Sequence, residues 1–147
     1  EEFLKNWNKV KKECPHINMR MNFTLSIYNM FHVLEYVEEM KRLDLFSDND
    51  ESNFVISLVE EPQWLSLQAL PEDIKKIIET RYESFISSNN FGNINKNLED
   101  AIKYMNAEDK SKLISAFRTF TKKIDLLRDE DFQELFPEES SLIYSRK

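Results

Sequence analysis

Glycine is almost missing from this chain, with Gly92 alone among 147 residues. Loops that cradle phosphate groups need several glycines to bring backbone N–H groups close to the ligand, so neither a Walker nor a Rossmann loop exists here. Cysteine is as scarce. One thiol, Cys14, excludes an intramolecular disulfide and any cysteine-based metal cluster held by this chain alone, and it fits a reducing, cytoplasmic setting. The two histidines, His16 and His32, show no H-x-x-x-H or E-x-x-H spacing, and His32 reads as a surface or capping residue near Glu35 and Tyr36 rather than a ligand. No G-x-S-x-G elbow supplies a serine nucleophile. Basic residues are outnumbered 20 to 27, and the net charge of −7 argues against nucleic acid bound through a broad basic face. No run of about eighteen apolar residues and no signal-peptide pattern occur, so no membrane segment is expected. The chain opens on Glu1 rather than methionine and is read as a fragment of a longer protein.

What is present suits a buried core: 41% of residues are hydrophobic and eleven are phenylalanine. The length is that of one domain. Its organising stretch is residues 19–40. Met19, Met21, Phe23, Leu25 and Ile27 alternate with polar residues, the two-residue rhythm of a strand. From Asn29 the apolar positions fall three and four apart, at Met30, Val33, Leu34, Val37 and Met40, the rhythm of a helix, and Asn29 stands where an N-cap belongs. A second strand-like run, residues 54–59, follows a polar loop. The pattern is βαβ, which predicts a parallel pair. Asp48, Asp50 and Ser52 in the loop mimic a calcium site, but Asn53 takes the glycine position and Val59 the glutamate position of such a loop, so a solvated acidic loop is the better account.

Before this unit, Phe3, Trp7, Val10 and Cys14 share one face of a helix that Pro15 stops, with Cys14 as a small core residue. After it, residues 64–67 suit a short third strand or an irregular crossing. Pro71 then opens a helix with Ile74, Ile77, Ile78, Tyr82, Phe85 and Ile86 inward. A polar break at residues 87–92 precedes a helix from about Asn95, with Leu98, Ala101, Ile102 and Met105 inward. Asn106 is read as the cap of a long helix facing Leu113, Ile114, Phe117, Phe120, Ile124 and Leu127 to the core. A short last helix from Asp131 presents Phe132, Leu135 and Phe136 before Pro137 ends it. The fold class is therefore α-rich α/β, a two- or three-stranded sheet with helices making most of the mass. Residues 1–70 hold the strand units and 71–147 the helical region, packed as one domain.

In parallel α/β folds ligands gather at the carboxyl ends of the strands. Ser26, Tyr28 and Asn29 lie there after the first strand, and Glu60, Glu61 and Gln63 after the second. The competing reading is that Asn29 only caps a helix and Ser26 only keeps the alternation. On the last long helix, Asp125 and Arg128 read as an i,i+3 surface pair; the alternative is that Arg128 contacts another part of the protein.

The run from Asn22 to Asn29, the segment Pro62-Gln63-Trp64-Leu65-Ser66-Leu67 leading to Leu70-Pro71, and the tail from Phe120 to Arg128 closing on Leu135-Phe136-Pro137-Glu138 resemble the C-terminal part of radical S-adenosylmethionine proteins of the twitch type. The tail is the most specific part, and the resemblance covers almost the whole chain. It implies late strands of a partial (β/α) barrel with a helical cover, and Ser26 and Asn29 as cofactor-binding residues. It also implies S-adenosylmethionine and a [4Fe–4S] cluster in the parent protein, with the upstream half of that protein as partner. The cluster-binding CxxxCxxC loop does not occur here, so this chain alone is expected to be catalytically silent. A rival reading is a free-standing α-rich interaction module. A partial barrel cut from its first half is expected to homodimerise through an exposed apolar surface or a bare strand edge, whereas a true module is expected to be a monomer with its strand edges covered.

Overall fold

A computed structural model describes residues 2–45 and 54–144. The chain runs α1 (Glu2–Glu13), β1 (Met21–Leu25), α2 (His32–Arg42), β2 (Phe54–Leu58), α3 (Glu72–Ser88), α4 (Asn93–Ala107), α5 (Ile114–Arg128), α6 (Phe132–Leu135) and α7 (Pro137–Tyr144), with four short 3-10 turns between them. The fold is helix-rich around a two-stranded sheet. β1 and β2 pair in parallel, Met21 opposite Phe54 and Leu25 opposite Leu58, as the βαβ pattern predicts. The loop that mimics a calcium site lies outside the described residues.

Alternation sets the two faces of the sheet. Met21 and Leu25 of β1 and Phe54 and Ile56 of β2 are buried on one face, and α2 covers it with Val33, Val37 and Met40. Phe23 meets the Tyr36 ring of α2 at 5.0 Å between centroids. Asn22, Thr24 and Val55 point to the other, exposed face, where the Ser57 hydroxyl donates to Asn22 Oδ1 across the strands at 2.8 Å.

The helices α3 and α4 close the fold on the β2 side. Ile74, Ile78 and Tyr82 of α3 and Leu98, Ala101 and Met105 of α4 are fully or almost fully buried in one core shared with the sheet. The Tyr82 hydroxyl donates to the Met30 carbonyl at 2.6 Å, and the buried Lys75 ammonium donates to the Glu108 carbonyl at the end of α4 at 3.0 Å. Burial holds the Lys75 pKa down, with Asp109 and Glu72 opposing that shift.

Several sequence expectations are corrected. Residues 64–67 are not a strand: they form consecutive 3-10 turns, Gln63–Leu65 and Leu67–Ala69, because Ser66 Oγ accepts from the Gln68 N–H and holds the chain in a turn. Asn106 caps nothing and lies inside α4. The break comes at residues 108–110, where Asp109 Oδ1 accepts from the Ser111 N–H at 3.0 Å before α5 begins at Ile114. Pro137 ends α6 but also opens α7, a helix the sequence reading lacked, by standing at the first helical position where no N–H is needed. The α1 face does not sink into the core either: Phe3 is 53% exposed, no α1 residue is fully buried, and Cys14 is half-buried, so it is not a core residue. Leu127 and Leu135, expected inward, are exposed.

Candidate functional site

The carboxyl end of β1 turns sharply. The Ser26 N–H donates to Asn29 Oδ1 at 2.9 Å, Ser26 Oγ accepts from the Tyr28 N–H at 3.3 Å, and the residues between form a 3-10 turn closed as a capping box. Asn29 Nδ2 reaches back to the Thr24 carbonyl at 2.9 Å. Asn29 therefore caps this turn and the end of β1, and not α2, which starts two residues beyond Met30 with no side-chain cap. Ser26 and Asn29 bond to the backbone and to each other, and Ser26 is buried. Their role in this arrangement is to aim Tyr28.

Tyr28 is the residue the turn presents. Its hydroxyl shares a 2.8 Å hydrogen bond with Thr121 of α5, and its ring lies 5.0 Å from Phe117 and 5.4 Å from Phe132 in an edge-on contact. Burial pushes the phenol pKa up. The Thr121 hydrogen bond and Arg128 pull it back, while Asp125 adds to the rise. Beside Tyr28 a cavity of about 280 Å³ opens between the end of α5 and α6, bounded by Phe132, Phe136 and Leu135 and by Asp125, Arg128 and Glu130. Glu60 and Glu61 are exposed and take no part in it, and Glu61 accepts from Gln63 Nε2 at 3.1 Å. Ser26, Tyr28 and Asn29 all lie at the carboxyl end of β1, as read from the sequence, with Ser26 and Asn29 bonded within the turn and Tyr28 at the cavity. The signal for Tyr28 was an aromatic residue placed directly after the strand.

A second cluster lies where α2 meets α7. The His32 ring has Glu35 Oε2 3.3 Å from Nδ1 and Glu139 Oε1 3.2 Å from Nε2, with the Phe136 ring edge-on at 5.4 Å. The Nε2 approach is close but poorly aligned, so it acts as a charge contact once the imidazole is protonated and not as a directed hydrogen bond. Glu139 is 1% exposed, and burial raises its pKa. A backbone hydrogen bond and His32 lower it, and Glu138 and Glu35 add to the rise. Glu138 pairs with Arg81 of α3, whose guanidinium lies 4.1 Å from the Phe31 ring centroid. Glu35 was foreseen beside His32, whereas Glu139 comes from a helix the sequence reading lacked.

Among the described residues no group of three or more His, Cys, Asp or Glu side chains gathers to hold a metal ion. The donor set does not fit a [4Fe–4S] cluster, which takes cysteine thiolates, because Cys14 is the chain's one thiol.

Fold and corner together define an α-rich α/β chain with a parallel βαβ unit whose strand carboxyl end carries an aromatic pocket. No family model, no curated protein and no solved structure matches this chain.

Proposed function

We propose that this chain completes a larger parallel sheet, contributing the last two strands and a helical cover to a radical S-adenosylmethionine-type partial barrel. Its partner is then the upstream half of the same protein, and this part performs no chemistry by itself. One observation supports the reading more than any other: the two outer edges of the sheet differ. The Leu25 carbonyl accepts from the Val59 N–H, so Met21, Phe23 and Leu25 direct their backbone groups at β2, while Asn22 and Thr24 direct theirs away. Among the described residues no strand pairs there, and the Thr24 carbonyl is met by the Asn29 amide alone. On the far side of β2 the Ile56 N–H donates to Asn97 Oδ1 of α4 at 2.9 Å, closing that edge. A barrel segment that ends with β2 needs this asymmetry, a terminal strand sealed by a helix and a penultimate strand ready for a neighbour. In the part of the chain before β1, Phe3 and Val10 of α1 are exposed, as is Ile17 in the connection. The uncovered sheet face, Asn22, Thr24, Val55 and Ser57, is polar but for Val55, which suits a face turned to a cofactor-filled lumen. S-adenosylmethionine and the cluster belong to the upstream half in this reading.

The test is to express the chain with the coding sequence upstream of Glu1 and reconstitute it with iron and sulfide under anaerobic conditions. A CxxxCxxC loop upstream, a reducible cluster, and slowed amide exchange at Asn22 and Thr24 are expected. An upstream sequence without that loop, or amides at Asn22 and Thr24 that exchange as fast as in the isolated chain, overturns it.

A second reading, a stand-alone interaction module, draws on one feature: Leu126 and Leu127 at the end of α5 are 78% and 81% exposed, with Leu135 close by in sequence on α6. A monomeric chain that retains a protein partner through these leucines, with β1 unprotected in the complex, favours it.

A further inference from the structure

The cavity beside Tyr28 has an apolar body and a charged mouth. Phe120, Phe132 and Phe136 join Tyr28 in its wall, and at about 280 Å³ it is at the small end of the roughly 300–1,000 Å³ usual for ligand sites, too small for a nucleotide. Asp125, Arg128 and Glu130 also line it. The turn that brings Glu130 there is built: Asp129 takes a left-handed conformation at φ 55°, and the Glu130 N–H donates to the Asp125 carbonyl at 3.1 Å, folding the chain back over the helix end.

The charges at this mouth do not pair with one another, although their spacing along the helix allows it. Glu39 and Arg42, three apart on α2, meet at 2.6 Å, and Asp100 and Lys103, three apart on α4, meet at 3.1 Å. Asp125 and Arg128 have the same spacing on α5, yet among the described residues Arg128 forms no ion pair with Asp125 or with Glu130. Among the described residues, one cation and two carboxylates without an ion pair therefore border one aromatic pocket. An anion alone would meet two like charges, and a cation alone would meet the guanidinium. A zwitterion satisfies both signs. Tyr28 adds a ring and no charge, because burial keeps its phenol protonated and Thr121 holds the hydroxyl.

From this we infer that the pocket binds a free α-amino acid with a large apolar side chain, its carboxylate on Arg128, its ammonium at Asp125 and Glu130, and its side chain against Tyr28 and Phe132. The site lies within the described residues of this chain and does not depend on a strand joining β1.

The test is titration of the full chain, followed by NMR shifts of the Tyr28 and Phe132 ring protons, with L-phenylalanine, phenethylamine and phenylpropionate. Phenylalanine is expected to bind and shift both rings, and each analogue lacking one charge to bind about tenfold or more weakly. In Arg128→Gln, an exposed substitution, phenylalanine loses its advantage over phenethylamine, while phenethylamine itself binds at least as tightly as before because the guanidinium it met is gone. Three results overturn the inference: no phenylalanine binding at millimolar concentration, either analogue binding as tightly as phenylalanine, or an Arg128→Gln protein that binds phenylalanine as before.

Discussion

The two flanks of the small sheet are built on opposite terms. On the β2 flank, α3 and α4 bury a continuous run of side chains and the outer edge of the strand is capped by Asn97. On the β1 flank the strand edge pairs with no other strand among the described residues, and α1, which precedes β1 in the chain, buries no residue fully. Both flanks are amphipathic in sequence, so periodicity alone does not tell a helix that has found its cover from one that has not. What separates them is polar groups at fixed positions. Asn97 also anchors itself, its Nδ2 donating to the Asn93 carbonyl at 2.7 Å, which aims its oxygen at the Ile56 N–H. Gln68 Nε2 on the Tyr104 carbonyl at 2.9 Å and Lys75 on the Glu108 carbonyl fix the α4 end in the same way. The α1 flank has no such device among the described residues, and Trp7 Nε1 is buried there without a partner.

The difference is sharpest in core truncations. Leu98→Ala removes a fully buried side chain on the closed flank and is expected to cost about 2–5 kcal/mol of unfolding free energy. Val10→Ala on α1 is expected to stay within about 0.5 kcal/mol. Urea denaturation followed by far-UV circular dichroism compares them. Equal losses at the two sites would break the distinction between flanks.

Next in size is the edge cap. Asn97→Leu keeps the volume but leaves the Ile56 N–H without its acceptor in a half-buried place, at a cost of about 1–3 kcal/mol. Amide exchange at Ile56 should speed up along with the loss. Asn22→Ala on the exposed face forgoes one 2.8 Å side-chain bond to Ser57 and should cost no more than about 1 kcal/mol. An Ile56 amide that exchanges no faster in Asn97→Leu would mean that the far edge is sealed by something other than this side chain.

How much of this was legible in the residues follows the same division. The strand-to-helix switch at residues 19–40, the parallel pair, and the inward faces of α3 and α4 came directly from period, because a side chain either faces the core or does not. The boundary errors all fell where a polar side chain captures backbone groups. Asn29 serves the strand behind it and not the helix ahead, Ser66 makes a turn of an alternating segment, and Asp109 rather than Asn106 marks the break before α5. A residue that caps is visible in sequence, but the direction in which it caps is not. The same limit hid the candidate site. Ser26 and Asn29 were rightly placed at the carboxyl end of the strand, while the groups that line the pocket come from α5, the turn after it and α6, and converge only in three dimensions. The family resemblance followed the chain in order, and order along the chain does not show that Ser26 and Asn29 also hold each other and the Thr24 carbonyl.

Acidity probes a contact that belongs to neither flank, the seam between α2 and α7. The Glu139 carboxyl has a folded pKa raised above its ordinary 4.5 by burial, so the folded state holds that proton more tightly than the unfolded chain. The stability it lends is then fully present below about pH 4.5 and is lost as pH rises through the raised value. The groups facing it are His32 and Glu35 from α2 and Glu138 from its own helix, the last tied to Arg81 of α3. A protonated His32 and the Arg81 guanidinium both offset the loss. Glu139→Gln removes the ionisation, so its unfolding midpoint should lose this downward slope between mildly acidic and neutral pH while the native protein keeps it. Parallel slopes in the two proteins would place the Glu139 carboxylate in contact with water.

The smallest effect concerns the exposed leucines of α5. Replacing Leu126 and Leu127 by Gln should change stability by no more than about 0.5 kcal/mol, since both side chains already stand in water. Its value is in association. If assembly runs through the bare edge of β1, sedimentation of the double variant should match that of the native chain, and Thr24→Pro, which removes an N–H directed away from β2, should be the change that weakens self-association or strand pairing. If the leucines are the contact, the order reverses: the glutamine variant becomes monomeric and the proline variant does not. The open flank would then be a feature of the isolated chain without bearing on its partner, and the partial-barrel reading would lose the asymmetry on which it stands.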